Sequence, residues 1–176
     1  MTHNRELLLP VEPETVYPES KFEAALTRLI HSCDFGGAAV IVQKFGLDLA
    51  VFVNTANGPR CFFIEAKSNG GQRQGGVGFG NGRGEGPQVE LLLCSEDQLV
   101  VLDTCVRWAM VDATMSVGAD RYALLNCTEA RGAAMGGVAR GKQNNFRLSA
   151  LRPRLVSWSA FCSDLTTFLA GESSAV

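Results

Sequence analysis

Apolar positions in the first part of the chain follow two patterns, which predict one helix and then three strands. Helical spacing begins after Ser20, a residue that suits a helix N-cap. The apolar positions of this helix are Phe22, Ala25, Leu26, Leu29 and Ile30. A Gly-Gly pair at positions 36 and 37 breaks the pattern. The apolar runs that follow and predict strands are residues 38–42, 48–53 and 61–67.

The second half of the chain predicts a helix, two further strands and a terminal helix. A helix start signal stands at Ser95 and the predicted helix ends near Gly118, while the place of residues 88–94 stays open. The apolar stripe of this helix consists of Leu99, Leu102, Val106, Ala109 and Met110. Residues 121–127 and 145–151 predict the fourth and fifth strands. The apolar face of the terminal helix consists of Trp158, Phe161, Leu165, Phe168 and Leu169.

These elements predict a single α/β domain over residues 1–176, a length that can bury one core. Its architecture is a mixed central β-sheet of about five strands flanked by helices, in the order α-β-β-β-α-β-β-α. Residues 1–19 contain three prolines and predict an extended arm. Residues 68–86 predict a mobile, glycine-rich loop, because glycine loses the most conformational entropy inside a helix or strand.

A hairpin between the second and third strands brings charged residues together. An Asn-Gly pair separates these two runs and is a strong hairpin signal. Alternate residues of a strand share a face, so Glu65 and Lys67 point the same way. Folding about residues 56–58 places Asp48 opposite Glu65 or opposite Lys67, and the spacing leaves this choice open.

Two carboxylates and an ammonium at the end of an apolar strand suit metal-dependent hydrolysis. The acids bind the ion, and the lysine stabilises a nucleophilic water or the developing charge. The other interpretation is a salt-bridged cluster at a strand end, which contributes little to stability. Against it, Asp48 and Glu65 repel each other unless a cation or a proton offsets them, and Lys67 compensates only one of them.

Asp48, followed by Glu65-Ala66-Lys67, resembles the D…(D/E)-x-K signature of the PD-(D/E)XK nuclease superfamily, although Leu47 stands where the family pattern has proline. The resemblance implies a restriction-endonuclease-like fold and an enzyme that hydrolyses phosphodiester bonds, with DNA as the expected substrate. It also implies Mg²⁺ or Mn²⁺ as the cofactor. Asp48, Glu65 and the backbone carbonyl of Ala66 would hold the ion, and Lys67 would orient the attacking water.

Two further residues are candidates through the same resemblance. Glu23 lies on the first predicted helix, where many members of the superfamily carry a glutamate that completes the metal shell. It also completes a capping box with Ser20, and the two interpretations stay open. Gln88 lies where some relatives carry a glutamine after the E-x-K strand, although Leu92 stands in place of the tyrosine that accompanies it there.

Charge is unevenly distributed although the formal net charge is only −2. Between positions 121 and 154 the only acidic residue is Glu129, so this half of the chain is basic. The glycine-rich segment lacks the strand, turn and helix context of a nucleotide-binding loop, and we interpret it as a flap. The alternative interpretation of the basic half is an ordinary solvated surface, and that of the flap is a disordered insertion without a function. The residues expected to contact nucleic acid are Arg73, Arg83, Arg140 and Lys142.

The six cysteines form no C-x-x-C pair, and the sequence has only two histidines, His3 and His31. This favours core cysteines in a reducing compartment over a zinc cluster, so an intracellular, cytoplasmic protein is expected. The N-terminal residues do not resemble a signal peptide, and no apolar run reaches membrane-spanning length.

Two alternatives to the nuclease remain at this point. The first is a catalytically inactive nucleic-acid-binding module on the same fold, and the second is a protein-interaction module. A homodimer is expected for the enzyme, since two symmetric copies readily cut both strands of a duplex.

Overall fold

The computed structural model describes residues 10–33, 39–69, 76–79 and 84–171. In chain order its elements are α1 (Glu19–Ser32), β1 (Val40–Phe45), β2 (Leu47–Thr55), β3 (Gly58–Asn69), β4 (Gly76–Phe79), α2 (Pro87–Leu92), α3 (Glu96–Leu102), β5 (Val106–Asp112), β6 (Tyr122–Leu125), α4 (Cys127–Ala133), β7 (Asn144–Arg147), α5 (Leu148–Leu151), a 3₁₀ turn (Arg152–Arg154) and α6 (Trp158–Leu169). Within these ranges, every helix is too short or too polar to span a membrane.

The central sheet has five strands in the order β1-β2-β3-β5-β6. Neighbouring strands are antiparallel except β3 and β5, which run parallel. Helices α2 and α3 lie between β3 and β5 in the chain and supply the crossover that a parallel pair requires. This confirms the predicted single α/β domain with a mixed five-stranded sheet. Strands β4 and β7 form a separate antiparallel sheet.

The helix predicted through Met110 is wrong beyond Leu102, where α3 ends. The chain then enters β5, in which every residue except Arg107 is buried. A strand that is covered on both faces has an almost continuous apolar sequence, and such a sequence also satisfies helical spacing. The segment 88–94, left open by the sequence, contributes α2, which is separate from α3.

The fifth strand predicted at residues 145–151 is only partly correct. Its first residues belong to β7, which pairs with β4 and lies outside the central sheet. The remaining residues, Leu148–Leu151, form α5. The central sheet still has five strands because it includes β5, which the sequence pattern assigns to a helix.

The glycine-rich segment contains more regular structure than the sequence predicts. Strand β3 continues to Asn69, and Gly76–Phe79 forms β4. Phe79 stacks on Phe146 of β7 with ring centroids 4.3 Å apart, and both rings are buried. Pairing with β7 and this aromatic contact offset the entropy that glycine loses in a strand. Residues 70–75 and 80–83 of the predicted loop lie outside the described residues.

Apolar side chains cover both faces of the central sheet. On one face α1 and α6 pack against the strands, and the Phe22 and Tyr122 rings lie 6.1 Å apart. On the other face lie α2, α3, α4 and the small sheet, where the Trp108 and Phe146 rings lie 5.3 Å apart. Helices on both sides therefore hold the strand ends where the charged residues lie.

Residues 10–18, the described part of the arm before α1, are anchored to the sheet although they form neither helix nor strand. Glu12 pairs with the buried Arg121 at 2.9 Å between Oε1 and Nε. Val16 is buried, and its carbonyl accepts a hydrogen bond from Ser68 Oγ at 2.8 Å. These contacts bring the start of α1 to the end of β3.

Candidate active site

The hairpin of β2 and β3 sets the positions of the first two acids. Thr55 lies opposite Gly58 across a turn of two residues, and Gly58 has a φ of 98°, which glycine adopts without strain. The same register pairs Leu49 with Ile64, so the next residues along the two strands, Asp48 and Glu65, lie opposite each other. Two hydrogen bonds hold the pair: the Ala66 N–H donates to Asp48 Oδ2 at 2.8 Å, and the Asp48 N–H donates to Glu65 Oε2 at 3.3 Å. Of the two registers that the sequence left open, the structure has Glu65 opposite Asp48.

Lys67 places its ammonium among these oxygens. Its Nζ lies 2.6 Å from Glu65 Oε1 and 3.8 Å from Asp48 Oδ2. It also donates to the backbone carbonyl of Ala66 at 2.8 Å. Only 6 % of the Lys67 surface is exposed, so the ammonium is held by protein oxygens. All members of the predicted signature therefore meet at the end of β3.

The first turns of α1 add two more carboxylates. Glu19 and Glu23 are four residues apart, so they lie on the same face of the helix. Glu19 Oε1 lies 3.1 Å from Lys67 Nζ, and Glu19 Oε2 accepts a hydrogen bond from the Ser68 N–H at 3.3 Å. One carboxylate oxygen from each of Glu19, Glu23 and Asp48 lies within 4.8 Å of the other two.

The sequence predicts Glu23 as a residue of this site, but it does not predict Glu19. Helix α1 begins at Glu19 with Pro18 as its N-cap, so the N-cap predicted at Ser20 is wrong. Because Ser20 lies inside the helix, the capping-box interpretation of Glu23 no longer holds. The four-residue spacing of the two glutamates was the signal for Glu19, and the misplaced helix start concealed it.

Glu65 is fully buried, and both of its carboxylate oxygens accept hydrogen bonds. Gln88 at the start of α2 donates from Nε2 to Glu65 Oε1 at 3.0 Å, so Gln88 lies within the site. Burial raises the pKa of Glu65 to about 7 against the opposing charge of Lys67, and the nearby charge of Asp48 adds to the rise. The apolar surroundings therefore penalise a negative charge on Glu65.

The pKa of Lys67 is raised as well, which for a lysine favours the charged form. Burial acts to lower the pKa of Lys67, but the charges of Glu65, Glu19 and Asp48 outweigh it and raise the pKa above its ordinary value. Lys67 therefore stays an ammonium at neutral pH. Three carboxylates lie within 4 Å of this one ammonium, and Glu23 lies beside two of them, so the carboxylates of the cluster outnumber its ammonium.

The donor set of this cluster fits a hard divalent cation. Glu19, Glu23 and Asp48 offer carboxylate oxygens that lie within 4.8 Å of one another, and oxygen ligands of this kind suit Mg²⁺ or Mn²⁺. Glu65 was expected to be a direct ligand, but its oxygens are engaged by Lys67, Gln88 and the backbone of Asp48. In this arrangement Glu65 holds the Lys67 ammonium and the backbone of Asp48 in place.

Two of the four expected nucleic-acid contacts lie in the described part of the chain, and neither contacts the cluster there. Arg140 pairs with Glu90 of α2, and Lys142 Nζ donates to the Gly136 carbonyl at 3.2 Å. Glu90 follows Gln88 by two positions on the same helix. The other two expected contacts lie outside the described residues: Arg73 and Arg83.

The basic half of the chain is less basic in the fold than in the sequence. Several of its arginines pair with acids from other segments, which the count between positions 121 and 154 does not include. These pairs are Arg121–Glu12, Arg131–Glu96 and Arg140–Glu90. Arg121 is buried in its pair and serves the fold.

Comparison of the chain with family models, curated proteins and solved structures finds no match.

Divalent ions are expected to stabilise the protein against heat. At a hundredfold excess of Mg²⁺ over its Kd, the gain in unfolding free energy is about 2.7 kcal/mol. Glu23→Gln is expected to reduce the Mg²⁺-induced rise in Tm, because it removes a ligand charge. Glu14→Gln, which alters an exposed carboxylate of the arm, is the control. An equal rise in all three proteins, measured by calorimetry, would place the ion elsewhere.

Proposed function

We propose that this protein is a divalent-ion-dependent nuclease that hydrolyses phosphodiester bonds, with DNA as the substrate. The observation that carries this proposal is the convergence of Asp48, Glu65 and Lys67 at the end of β3 with two glutamates of α1. The proposal includes the restriction-endonuclease-like fold, which agrees with the order of α1, the β1–β3 meander and the crossover to β5.

The charge of the cluster supports a bound cation. Four carboxylates with one ammonium would repel a phosphodiester, which is itself an anion. Glu19, Glu23 and Asp48 would hold Mg²⁺ or Mn²⁺, with the carbonyl of Ala66 as a further oxygen nearby. When bound, the ion supplies Lewis-acid stabilisation of the phosphate charge and lowers the pKa of a coordinated water. A cation site therefore reconciles an acidic cluster with an anionic substrate.

The residues around the cluster would align the reacting groups. The Ala66 N–H holds one oxygen of Asp48, so that carboxylate has a fixed orientation. Gln88 holds Glu65 by a hydrogen bond, and Glu65 holds the Lys67 ammonium in place. From there Lys67 orients the attacking water or offsets the negative charge that grows on the phosphate. Because these groups are positioned before substrate binds, little reorganisation is needed during the reaction.

Cleavage assays test this proposal. The substrates are linear duplex DNA, circular duplex DNA, single-stranded DNA and RNA, each with Mg²⁺, with Mn²⁺ or with a chelator. We expect ion-dependent cleavage of DNA that the chelator abolishes, and cutting of the circle would show endonuclease action. Binding of DNA without cleavage of any substrate would contradict the proposal in favour of an inactive binding module. Neither binding nor cleavage would favour a protein-interaction module.

The proposal also includes a homodimer, in which each copy cuts one strand of a duplex. Sedimentation velocity with and without DNA measures the assembly. A monomer that nicks one strand of a circular duplex would retain the nuclease and exclude the dimer.

A further inference from the structure

Helix α1 brings two carboxylates to the cluster, but its own first turn does little to hold them. Its N-cap is Pro18, and no side chain caps the helix there. Glu19 is the first residue of the helix, and its side chain is 37 % exposed. The first N–H groups of an uncapped helix have no partner within it, and such ends fray. The position of Glu19 therefore depends on contacts outside α1.

One residue of β3, Ser68, supplies two such contacts. Its N–H donates to Glu19 Oε2 at 3.3 Å, and its hydroxyl donates to the Val16 carbonyl at 2.8 Å. The two acceptors lie three positions apart, on either side of the Tyr17–Pro18 segment that leads into the helix. Ser68 directly follows Lys67, whose Nζ lies 3.1 Å from Glu19 Oε1. Two neighbouring residues of one strand therefore hold both oxygens of the Glu19 carboxylate.

These contacts orient Glu19 without filling its capacity to bind an ion. Each carboxylate oxygen has two acceptor sites, so one contact on each oxygen leaves a site free. One of these oxygens lies within 4.8 Å of a carboxylate oxygen of Glu23 and of Asp48. Glu19 is thus aimed at the shared position of the three acids by its contacts with β3.

The far end of the same segment is fixed as well. Glu12 pairs with Arg121, and it accepts hydrogen bonds from the Tyr122 hydroxyl at 3.0 Å and from the Gly118 N–H at 2.9 Å. The side chain of Val16, between the two anchors, is buried. Because the segment is held at both ends, loss of the Ser68 hydroxyl is expected to loosen the entry to α1 and to leave the rest of the arm in place.

We propose that Ser68 is a positioning residue of the cation site: its hydroxyl fixes the chain at Val16, so that Glu19 meets Glu23 and Asp48. This inference rests on the proposed function, in which these three carboxylates hold the ion. Groups that orient metal ligands change metal affinity by about tenfold or more when they are mutated. Ser68 sets the affinity for the ion through Glu19 and not as a ligand.

The Mn²⁺ affinity of Ser68→Ala tests this inference. Free Mn²⁺ is quantified by its EPR signal at neutral pH, with no nucleic acid present. Alanine keeps the N–H that contacts Glu19 and removes only the hydroxyl, so we expect the Kd to rise about three- to tenfold. Ser68→Thr retains a hydroxyl and is expected to restore affinity close to that of the wild type. Wild-type affinity in Ser68→Ala would overturn the inference.

A double-mutant cycle with Glu19→Gln separates positioning of this carboxylate from a general loss of order. Glu19→Gln removes one ligand charge and is expected to weaken Mn²⁺ binding by itself. If Ser68 acts through Glu19, Ser68→Ala has little further effect on the Kd in the Glu19→Gln background. Effects of the two substitutions that add in the double variant would overturn the inference.

Ser32→Ala is the matched control, because Ser32 lies at the other end of α1. Its hydroxyl donates to the Leu29 carbonyl at 2.7 Å, so the same substitution removes the same kind of hydrogen bond about 20 Å along the helix. Unfolding curves in chelator are expected to show a similar, small loss of stability for both variants. Ser32→Ala is expected to keep wild-type Mn²⁺ affinity, and an equal loss of affinity in both variants would overturn the inference.

The two proposals fail in different ways. A protein that shows the Ser68–Glu19 coupling in Mn²⁺ binding but cleaves no nucleic acid keeps the positioning role and loses the nuclease. A protein that cleaves with Mn²⁺ but shows no such coupling keeps the nuclease and loses the positioning role. Absence of Mn²⁺ binding to the wild type overturns both.

Discussion

Asp48→Asn is expected to abolish ion-dependent cleavage while the protein stays folded. Asparagine keeps an oxygen that accepts the hydrogen bond from the Ala66 N–H, so the hairpin contact is retained. It removes one of the three carboxylate charges that Asp48, Glu19 and Glu23 offer to the ion. Loss of this ligand charge is expected to slow cleavage by about a thousandfold, equivalent to about 4 kcal/mol of transition-state stabilisation.

The initial rate of cleavage at saturating Mg²⁺ measures this effect. Asp97→Asn is the control, because Asp97 is an exposed acid of α3, and it is expected to retain the wild-type rate. Unfolding curves recorded on both variants show whether each is folded at the assay temperature. A folded Asp48→Asn protein that cleaves at the wild-type rate would exclude this cluster as the catalytic centre.

Lys67→Met is expected to be the most destabilising change in the site. It leaves the fully buried Glu65 without the ammonium that lies 2.6 Å from its Oε1. Removing one partner of a buried ion pair costs about 3 kcal/mol or more, because the remaining charge is uncompensated. The double variant Lys67→Met/Glu65→Gln is expected to recover most of this loss, since it removes both charges.

Urea unfolding in chelator at pH 8 measures these free energies. Independent effects of Lys67→Met and Glu65→Gln would add in the double variant, and additivity would contradict the coupling inferred from the structure. Both singles are also expected to lose cleavage. The unfolding free energies therefore measure what Lys67 and Glu65 contribute to the fold, and the cleavage rates measure what they contribute to catalysis.

The loss caused by Lys67→Met is expected to shrink as the pH falls from 8 to 5. Burial raises the pKa of Glu65 in the folded protein to about 7, and removal of Lys67 takes away the charge that opposes this rise. A carboxyl whose pKa is raised in the folded state lowers stability progressively as the pH rises from its ordinary pKa to the raised one, and this penalty is almost absent near the ordinary pKa. Unfolding curves at both pH values give the change, and a loss independent of pH would contradict it.

The cluster was predictable because its geometry depends on short-range features. The Asn-Gly signal and the two-residue period of strands bring Asp48 opposite Glu65 or Lys67, and the register of the folded hairpin decides for Glu65. Gln88 was predictable only through the resemblance, since its contact with Glu65 depends on how α2 packs. Glu19 was missed because helix starts are uncertain by a residue or two, and one residue decided whether Glu19 belonged to α1.

The errors in the fold prediction arise from tertiary contacts. Strand β5 is buried on both faces, so its apolar run lacks the alternation that distinguishes a strand from a helix. Strand β4 contains two glycines and forms because β7 pairs with it and Phe146 covers Phe79. Neither condition can be derived from the local sequence, since each depends on residues more than 25 positions away.

The central claim is that this cluster binds the divalent ion used for cleavage, and anomalous diffraction from crystals containing Mn²⁺ tests it most directly. We predict an anomalous peak within coordination distance of Asp48 and of at least one of the α1 glutamates, Glu19 and Glu23. In Asp48→Asn crystals grown with the same Mn²⁺ concentration, the peak is expected to be lost or much weaker. Crystals of wild-type protein with no Mn²⁺ at the cluster, or with the ion bound only elsewhere, would contradict the claim.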